Sequence, residues 1–312
     1  MKAEALGRSA VKYIHSIVNF MVLVVIMLLV AFAGFALWDS DQLYRSADRS
    51  NYSIYKPPGE DNSKSFQELQ AMNPDVFAWL TVYGTNVDYP VLQGINNMKY
   101  LSTNPEGNYS ISGSIFLDSE NSKDFSDFNS ILYGHHMEKR VMFGEIGSFS
   151  RKDVFDTHKY GNLFYDGKDH GIEFFKFVHC DGYDSEVFTV NIQEARRQAY
   201  LEYLAEKEVN SRDIGVTEED RIILLSTCSS RTTNGRDILV GRITDEVFED
   251  PFYTEPETNV RQQLFVDSPV RVLDYLINRL PLVIAILVVL IILLILIITY
   301  KRKRKKRGNR NG

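Results

Sequence analysis

The chain has 312 residues, 44% of them hydrophobic, with 41 acidic against 35 basic side chains and a formal charge of −6. Both ends are basic, so the stretch between them is more acidic than the whole, which excludes the clustered positive face that nucleic acid requires. Two cysteines exclude a disulfide framework.

Residues 1–16 carry Lys2, Arg8 and Lys12 and read as a cytoplasmic tail. Ile17 to Leu37 follow as 21 residues without a charge, enough for a transmembrane helix, which takes about 20 apolar residues. Ala31-Phe-Ala33 has the small-residue spacing of a signal-peptidase site, but the span stays apolar to Leu37 and is read as a retained anchor. Residues 38–64 form a polar, tyrosine-bearing stalk leading into a helical region. Ser65-Phe-Gln-Glu68 has capping-box spacing and predicts the start of a short helix.

Short apolar runs then recur at Phe77 to Tyr83, Val87 to Leu92, Ser114 to Leu117, Ser130 to Tyr133, Asn162 to Tyr165, Ile172 to Cys180, Ile222 to Thr227 and Ile238 to Ile243. Eight such runs separated by Gly and Asn turns predict a closed β-barrel over residues 65–245. Glu194 to Val209, without Gly or Pro, is the one long helical pattern. Residues 246–279 read as an acidic linker, and Leu280 to Tyr300 are a second uncharged stretch of 21 residues. Residues 301–312 open with Lys301-Arg-Lys-Arg-Lys-Lys-Arg307. By the positive-inside rule both termini are cytoplasmic and the barrel is outside the cell. The expected fold is mainly β with accessory helices, an eight-stranded barrel between two transmembrane helices.

The chemistry gathers at strand ends. Arg221-Ile-Ile-Leu-Leu-Ser-Thr-Cys228 delivers a thiol to the end of an apolar run, and Arg236 opens the next run after the loop Ser229 to Gly235. Antiparallel pairing would set Cys228 beside Arg236, whereas Arg242 would lie roughly 20 Å further along the ladder. Arg231 falls inside the loop, where nothing in the sequence fixes its direction. A cysteine phosphatase would need arginine six residues after the cysteine, and Asn234 stands there.

A free cysteine after a strand is more often a small buried hydrophobe. Against that, Ser226, Thr227, Ser229 and Ser230 make a polar cluster, poor packing material and a source of donors. Of six histidines, His135 and His136 end the run Ser130-Ile-Leu-Tyr-Gly134 and offer a base for the thiol. His15 precedes an apolar segment, and His158 and His170 lie in polar stretches and read as solvated; His179, beside Cys180, is ambiguous. Cys180 reads as a buried strand residue. No short-spaced ligand pairs predict zinc, and thiol, base and permanent cation suffice for acyl transfer without metal or organic cofactor.

Leu225-Ser-Thr-Cys228 followed by Arg236, with Tyr133-Gly-His-His-Met137 and Met142-Phe-Gly144 upstream, resembles the sortases, class B in particular. Asn73-Pro-Asp-Val-Phe-Ala-Trp-Leu80, Asp88-Tyr-Pro-Val-Leu-Gln-Gly94, Lys99-Tyr-Leu101 and Gly113-Ser-Ile-Phe-Leu-Asp118 extend the likeness in the same order. The resemblance implies a sortase-like barrel and a cysteine transpeptidase that cleaves a C-terminal sorting motif of exported proteins through a thioacyl intermediate. It implies Cys228 as nucleophile, His135 as general acid and base, Arg236 as stabiliser of oxyanion and substrate, and Ser226 near the substrate. Thr227, its neighbour in the polar cluster, is taken with it as substrate-binding.

The second membrane segment departs from class B, where a single N-terminal anchor is usual, and resembles class C pilin polymerases. Partners expected are therefore exported proteins bearing the sorting motif, with pilins favoured, and as amine acceptor a pilin lysine. The alternatives are a peptidoglycan precursor, for anchoring of single proteins, and a catalytically inactive surface module. Recognition of the motif is expected from a groove built by loops around Asn86 to Asn97 and Ala195 to Asp213.

Overall fold

The computed structural model describes residues 2–57 and 63–253. Helix α1 (Lys2–Ser46) runs through the first apolar span, and its length and composition suit a membrane anchor. Trp38–Tyr253 form a compact unit. The second apolar span, residues 280–300, lies outside the described residues, as does most of the expected linker.

The compact unit is built on nine strands among the described residues. They are β1 (Val76–Val82), β2 (Asp88–Leu92), β3 (Ile115–Leu117), β4 (Asn129–Tyr133), β5 (Tyr160–Tyr165), β6 (Lys168–Asp181), β7 (Glu208–Ser211), β8 (Arg221–Cys228) and β9 (Gly235–Thr244). Their order is β5-β1-β2-β3-β4-β8-β9-β6-β7, and pairing of β5 with β6 closes the first eight into a barrel. Pairs β2–β3 and β4–β8 are parallel. The eight expected runs are these eight barrel strands.

Strands β8 and β9 read as unbroken apolar runs because both of their faces are covered. Ile223, Leu225 and Leu239 point into the barrel interior with Leu80, Leu132 and Phe177. Ile222, Leu224, Ile238 and Val240 point outward and meet Tyr200 and Leu204 of helix α4 (Glu194–Glu206). That pair lies four residues apart, so one helix face reaches the sheet. The Tyr200 hydroxyl donates to the Val187 carbonyl at 2.7 Å, so its burial leaves no orphaned polar atom.

Several expectations change. Helix α4 stops at Glu206 and not Val209, because residues 208–211 leave it to pair as β7 with the far half of β6. A β-bulge at Phe174 and Lys176 lets the long β6 bend from its β5 partner toward β7. Helix α2 (Ser63–Met72) begins two residues before the expected Ser65, and a short α3 (Lys152–Thr157) precedes β5. The stalk is helical to Ser46, supported by an Arg45–Asp41 pair one turn apart at 2.6 Å. Residues 246–253 are docked, with Phe248 stacked on Tyr160 at 4.2 Å and Phe252 on His158 at 4.7 Å.

His158 and His170 are correspondingly packed, not solvated. His170 is 2% exposed because β6 begins at Lys168, earlier than its apolar residues suggest, and the ring stacks on Tyr165 at 3.9 Å. Burial first, then the Lys168 charge, holds this histidine below its usual 6.5, with a Leu163 backbone bond acting the other way. An unfolded chain therefore takes up a proton below about pH 6.5 that the folded chain resists, so the stability His170 contributes is complete above that pH and is lost as pH falls below it. Urea midpoints measured near neutrality and at mildly acid pH should differ less in His170→Phe than in the parent; an equal difference would contradict this assignment.

Candidate active site

Cys228 is the last residue of β8 and is exposed. Its cross-strand partner on β9 is Arg236, as the sequence predicts. Arg236 is also the partner of Cys180 on β6. The two cysteines thus stand two strand spacings apart, about 10 Å, beyond the reach of a disulfide. Burial pushes the Cys180 thiol up to about 12, so of the two thiols only the exposed Cys228 is open to a reacting partner.

The base arrives on the neighbouring parallel strand. Tyr133 of β4 pairs with Ser226 of β8. Beyond the last ladder pair, the Gly134 amide donates to the Ser226 carbonyl at 3.2 Å. The Thr227 hydroxyl donates to the Gly134 carbonyl at 2.7 Å. Only glycine fits at this crossing, since a Cβ on Gly134 would lie 2.5 Å from Ile115 Cδ1 and 2.7 Å from Phe143 Cδ2. The chain then turns His135 into the same cavity as Cys228 and Arg236, a space of about 490 Å³.

The imidazole is oriented by the main chain. His135 Nε2 lies 2.8 Å from the Leu101 carbonyl oxygen. A carbonyl only accepts, so Nε2 carries the hydrogen in this contact, and in the neutral ring Nδ1 keeps the lone pair that can take a thiol proton. Leu101 and His135 both line the cavity. His136 does not: it pairs with Met142, and its Nδ1 is buried without a partner in the structure.

The loop after His135 holds three non-glycine residues with positive φ, namely Lys139 (57°), Arg140 (62°) and Met142 (53°). Such conformations cost of order 1–3 kcal/mol each and persist only where the surroundings enforce them. Here the Met142 amide donates to the buried Tyr89 hydroxyl at 3.0 Å, and that hydroxyl donates to the Ala47 carbonyl at 3.0 Å. The Phe143 amide closes the loop on the His135 carbonyl at 3.1 Å.

Arg236 is half-buried, and its Nη1 donates to the carbonyls of Asn234 (3.2 Å) and Gly235 (3.1 Å). Ser226 and Thr227 both line the cavity although each is 2% exposed as a whole residue. Arg231, whose direction the sequence leaves open, is held by Asp237 at 2.9 Å. Among the described residues no three His, Cys, Asp or Glu side chains converge as a metal site.

Of the loops expected to build the groove, Asn97 lines the cavity, held by Asp118 at 2.7 Å, while Tyr133 donates to the same carboxylate at 3.0 Å. No residue of 195–213 lines it; the far wall comes instead from Gly182, Tyr183, Asp184, Ser185 and Phe188. The reason is that α4 packs on the outside of the barrel sheet, leaving the chain that leads into it to face the site. The sequence shows Leu101 only within the Lys99-Tyr-Leu101 likeness and assigns it no place at the site, because it acts here through a backbone atom.

The sortase-domain family profile matches residues 80–244. Sortase B of Staphylococcus aureus is 32% identical over 57% of this chain and 74% of its own length. Among solved structures, sortase B from the type II pilus of Streptococcus pneumoniae is 44% identical, covering 58% of this chain and 99% of that one, with a TM-score of 0.51. A class B sortase of Streptococcus pyogenes involved in pilus biogenesis is 40% identical, covering 57% and 97%, with a TM-score of 0.53.

Gly113 tests how His135 is oriented. It has φ +58°, and a Cβ there would lie 2.4 Å from the Tyr100 oxygen and 2.8 Å from the Leu101 oxygen. In nitrogen-15 spectra of histidine-labelled protein, neutral His135 should carry its hydrogen on Nε2, and Gly113→Ala should erode that preference. A neutral His135 protonated on Nδ1 in the parent would refute the assignment.

Proposed function

The chain belongs to the sortase family as a class B cysteine transpeptidase, and we propose that Cys228 is its nucleophile, His135 its general acid and base, and Arg236 its oxyanion and substrate stabiliser. The observation that carries this reading is that three strand ends deliver a thiol, an imidazole and a guanidinium to one cavity.

In this reading the Cys228 thiol gives its proton to His135 Nδ1, and the sulfur attacks the scissile carbonyl of a sorting motif. The oxyanion that forms is met by the Arg236 guanidinium, which stays charged at any working pH. The C–N bond breaks as His135 returns its proton to the leaving amine, leaving a thioester on Cys228. An acceptor amine then loses a proton to His135 and attacks the thioester; the C–S bond breaks, the new amide leaves, and His135 returns the proton to the Cys228 thiolate. Ser226, on the same strand face as Cys228, contacts the substrate, and Thr227 completes the wall.

The substrates in this proposal are exported proteins bearing a C-terminal sorting motif, and the acceptor is a lysine of a pilin subunit. Support comes from the two relatives described as pilus enzymes, 44% and 40% identical, against 32% for the Staphylococcus aureus sortase B. The second apolar span read in the sequence, with its basic tail, agrees with a polymerase held at the outer membrane face by both ends, its termini cytoplasmic.

Incubating the chain with a library of candidate sorting peptides should give a thioacyl adduct on Cys228 visible by mass spectrometry. Adding a pilin lysine peptide should discharge it faster than a peptidoglycan cross-bridge amine does. Faster discharge by the cross-bridge amine would replace polymerisation with wall anchoring, and a Cys228→Ala protein that still processed the peptides would end the catalytic proposal.

A further inference from the structure

Two side chains that the sequence leaves unassigned, Arg231 and His179, meet at a buried carboxylate behind the active site. Asp237 is 2% exposed, and one of its oxygens, Oδ1, takes both Arg231 Nη2 at 2.9 Å and His179 Nδ1 at 2.9 Å. The other ring nitrogen of His179 lies 3.3 Å from the Thr232 hydroxyl. Arg231 and Thr232 belong to the loop 229–234 that links Cys228 to β9. Both loop side chains are therefore tied to one anchor, directly or through His179.

The anchor's position gives it leverage. Asp237 follows Arg236 on β9, so the two side chains leave opposite faces of the strand. Its cross-strand partners are Thr227 on β8 and His179 on β6. Thr227 is the residue whose hydroxyl holds Gly134 beside His135. Fixing Asp237 thus fixes the direction in which Arg236 faces the cavity, and fixing the loop fixes the end of β8 that carries Cys228. The fit is close on every side: a Cβ on Gly147 would lie 2.9 Å from Asp237 Oδ2, and a Cβ on Gly235 would lie 1.9 Å from Thr232 Oγ1 and 3.0 Å from His179 Cε1.

We propose that Asp237, Arg231 and His179 form a positioning cluster for acyl transfer, in which the buried carboxylate clamps the loop after the nucleophile and so sets Cys228 against Arg236. The inference rests on the catalytic roles proposed above for those two residues. None of the three cluster members lines the cavity, so they act through the loop and not on the substrate. Arg231 neutralises a carboxylate that would be costly to bury alone. Its planar guanidinium also gives the loop a defined direction that a hydrated ammonium gives less well.

The test uses the full chain in detergent, with the sorting peptide selected by adduct formation and rates normalised to the fraction of Cys228 that iodoacetamide alkylates. Arg231→Ala should lower kcat by about tenfold to a hundredfold, the scale expected when reacting groups are misplaced by a fraction of an ångström to an ångström, with KM held within about twofold. Arg231→Lys, which keeps the charge but not the planar fork, should recover only part of the loss. The double variant Arg231→Ala/Asp237→Ala should cost no more than Asp237→Ala alone, because Asp237→Ala already removes the Arg231 bond together with the His179 bond. An Arg231→Ala kcat within about twofold of the parent, or a raised KM at unchanged kcat, would overturn the cluster's role. Either result, obtained alongside an inert Cys228→Ala, would leave the catalytic assignment standing. Activity in Cys228→Ala would overturn both.

Discussion

The site depends on the parallel pairing of β4 with β8. Five residue pairs run from Asn129 opposite Ile222 to Tyr133 opposite Ser226, and two bonds cap the ladder, Gly134 N to Ser226 O and Thr227 Oγ1 to Gly134 O. A slip of one residue would turn every side chain of β8 to the other face. Cys228 would then point toward the barrel interior, and the outward row Ile222, Leu224 and Ser226 would lose its contacts. The apolar burial on both faces of β8 is what makes such a slip costly, so core packing enforces the register that brings Cys228 to the cavity.

On this framework the side chains proposed for catalysis are held by backbone and loop, not by a chain of further side chains. His135 is aimed by the Leu101 carbonyl, and Arg236 is tethered by the Asn234 and Gly235 carbonyls. The loops beyond them are the strained and polar parts of the unit. The His135 loop keeps three left-handed residues in place through Tyr89 and the Ala47 carbonyl just after helix α1. The loop after Cys228 is pinned by a buried carboxylate. Rigid strands thus set the position of each group, and the loops set its direction.

Much of this was legible because it is written in local pattern. Apolar runs of strand length announced all eight barrel strands, and the seven-residue loop between Cys228 and Arg236 sufficed to place them as partners. A glycine before His135 marked the member of the adjacent histidine pair that lines the cavity. The exceptions are interactions that local pattern does not carry. Strand β7 is polar and exists because β6 has a free edge. His170 sits among charged residues in sequence but opposite Leu163 in the sheet. Leu101 contributes a carbonyl, which no side-chain pattern reports, and Arg231 gains its direction from a residue on the next strand. The cavity wall at 182–188 was misplaced to α4 because a helix signal is easier to read than the connection before it.

The most direct test of this account is Thr227→Val, which keeps the side chain's shape and removes only the hydroxyl that joins the two strand ends. If the β4–β8 closure brings His135 to Cys228, kcat for thioacyl formation should fall by about tenfold or more while KM stays near the parent value. A raised KM at unchanged kcat would mean that the hydroxyl serves the substrate, and that the strand-end closure is not what sets the geometry of acyl transfer.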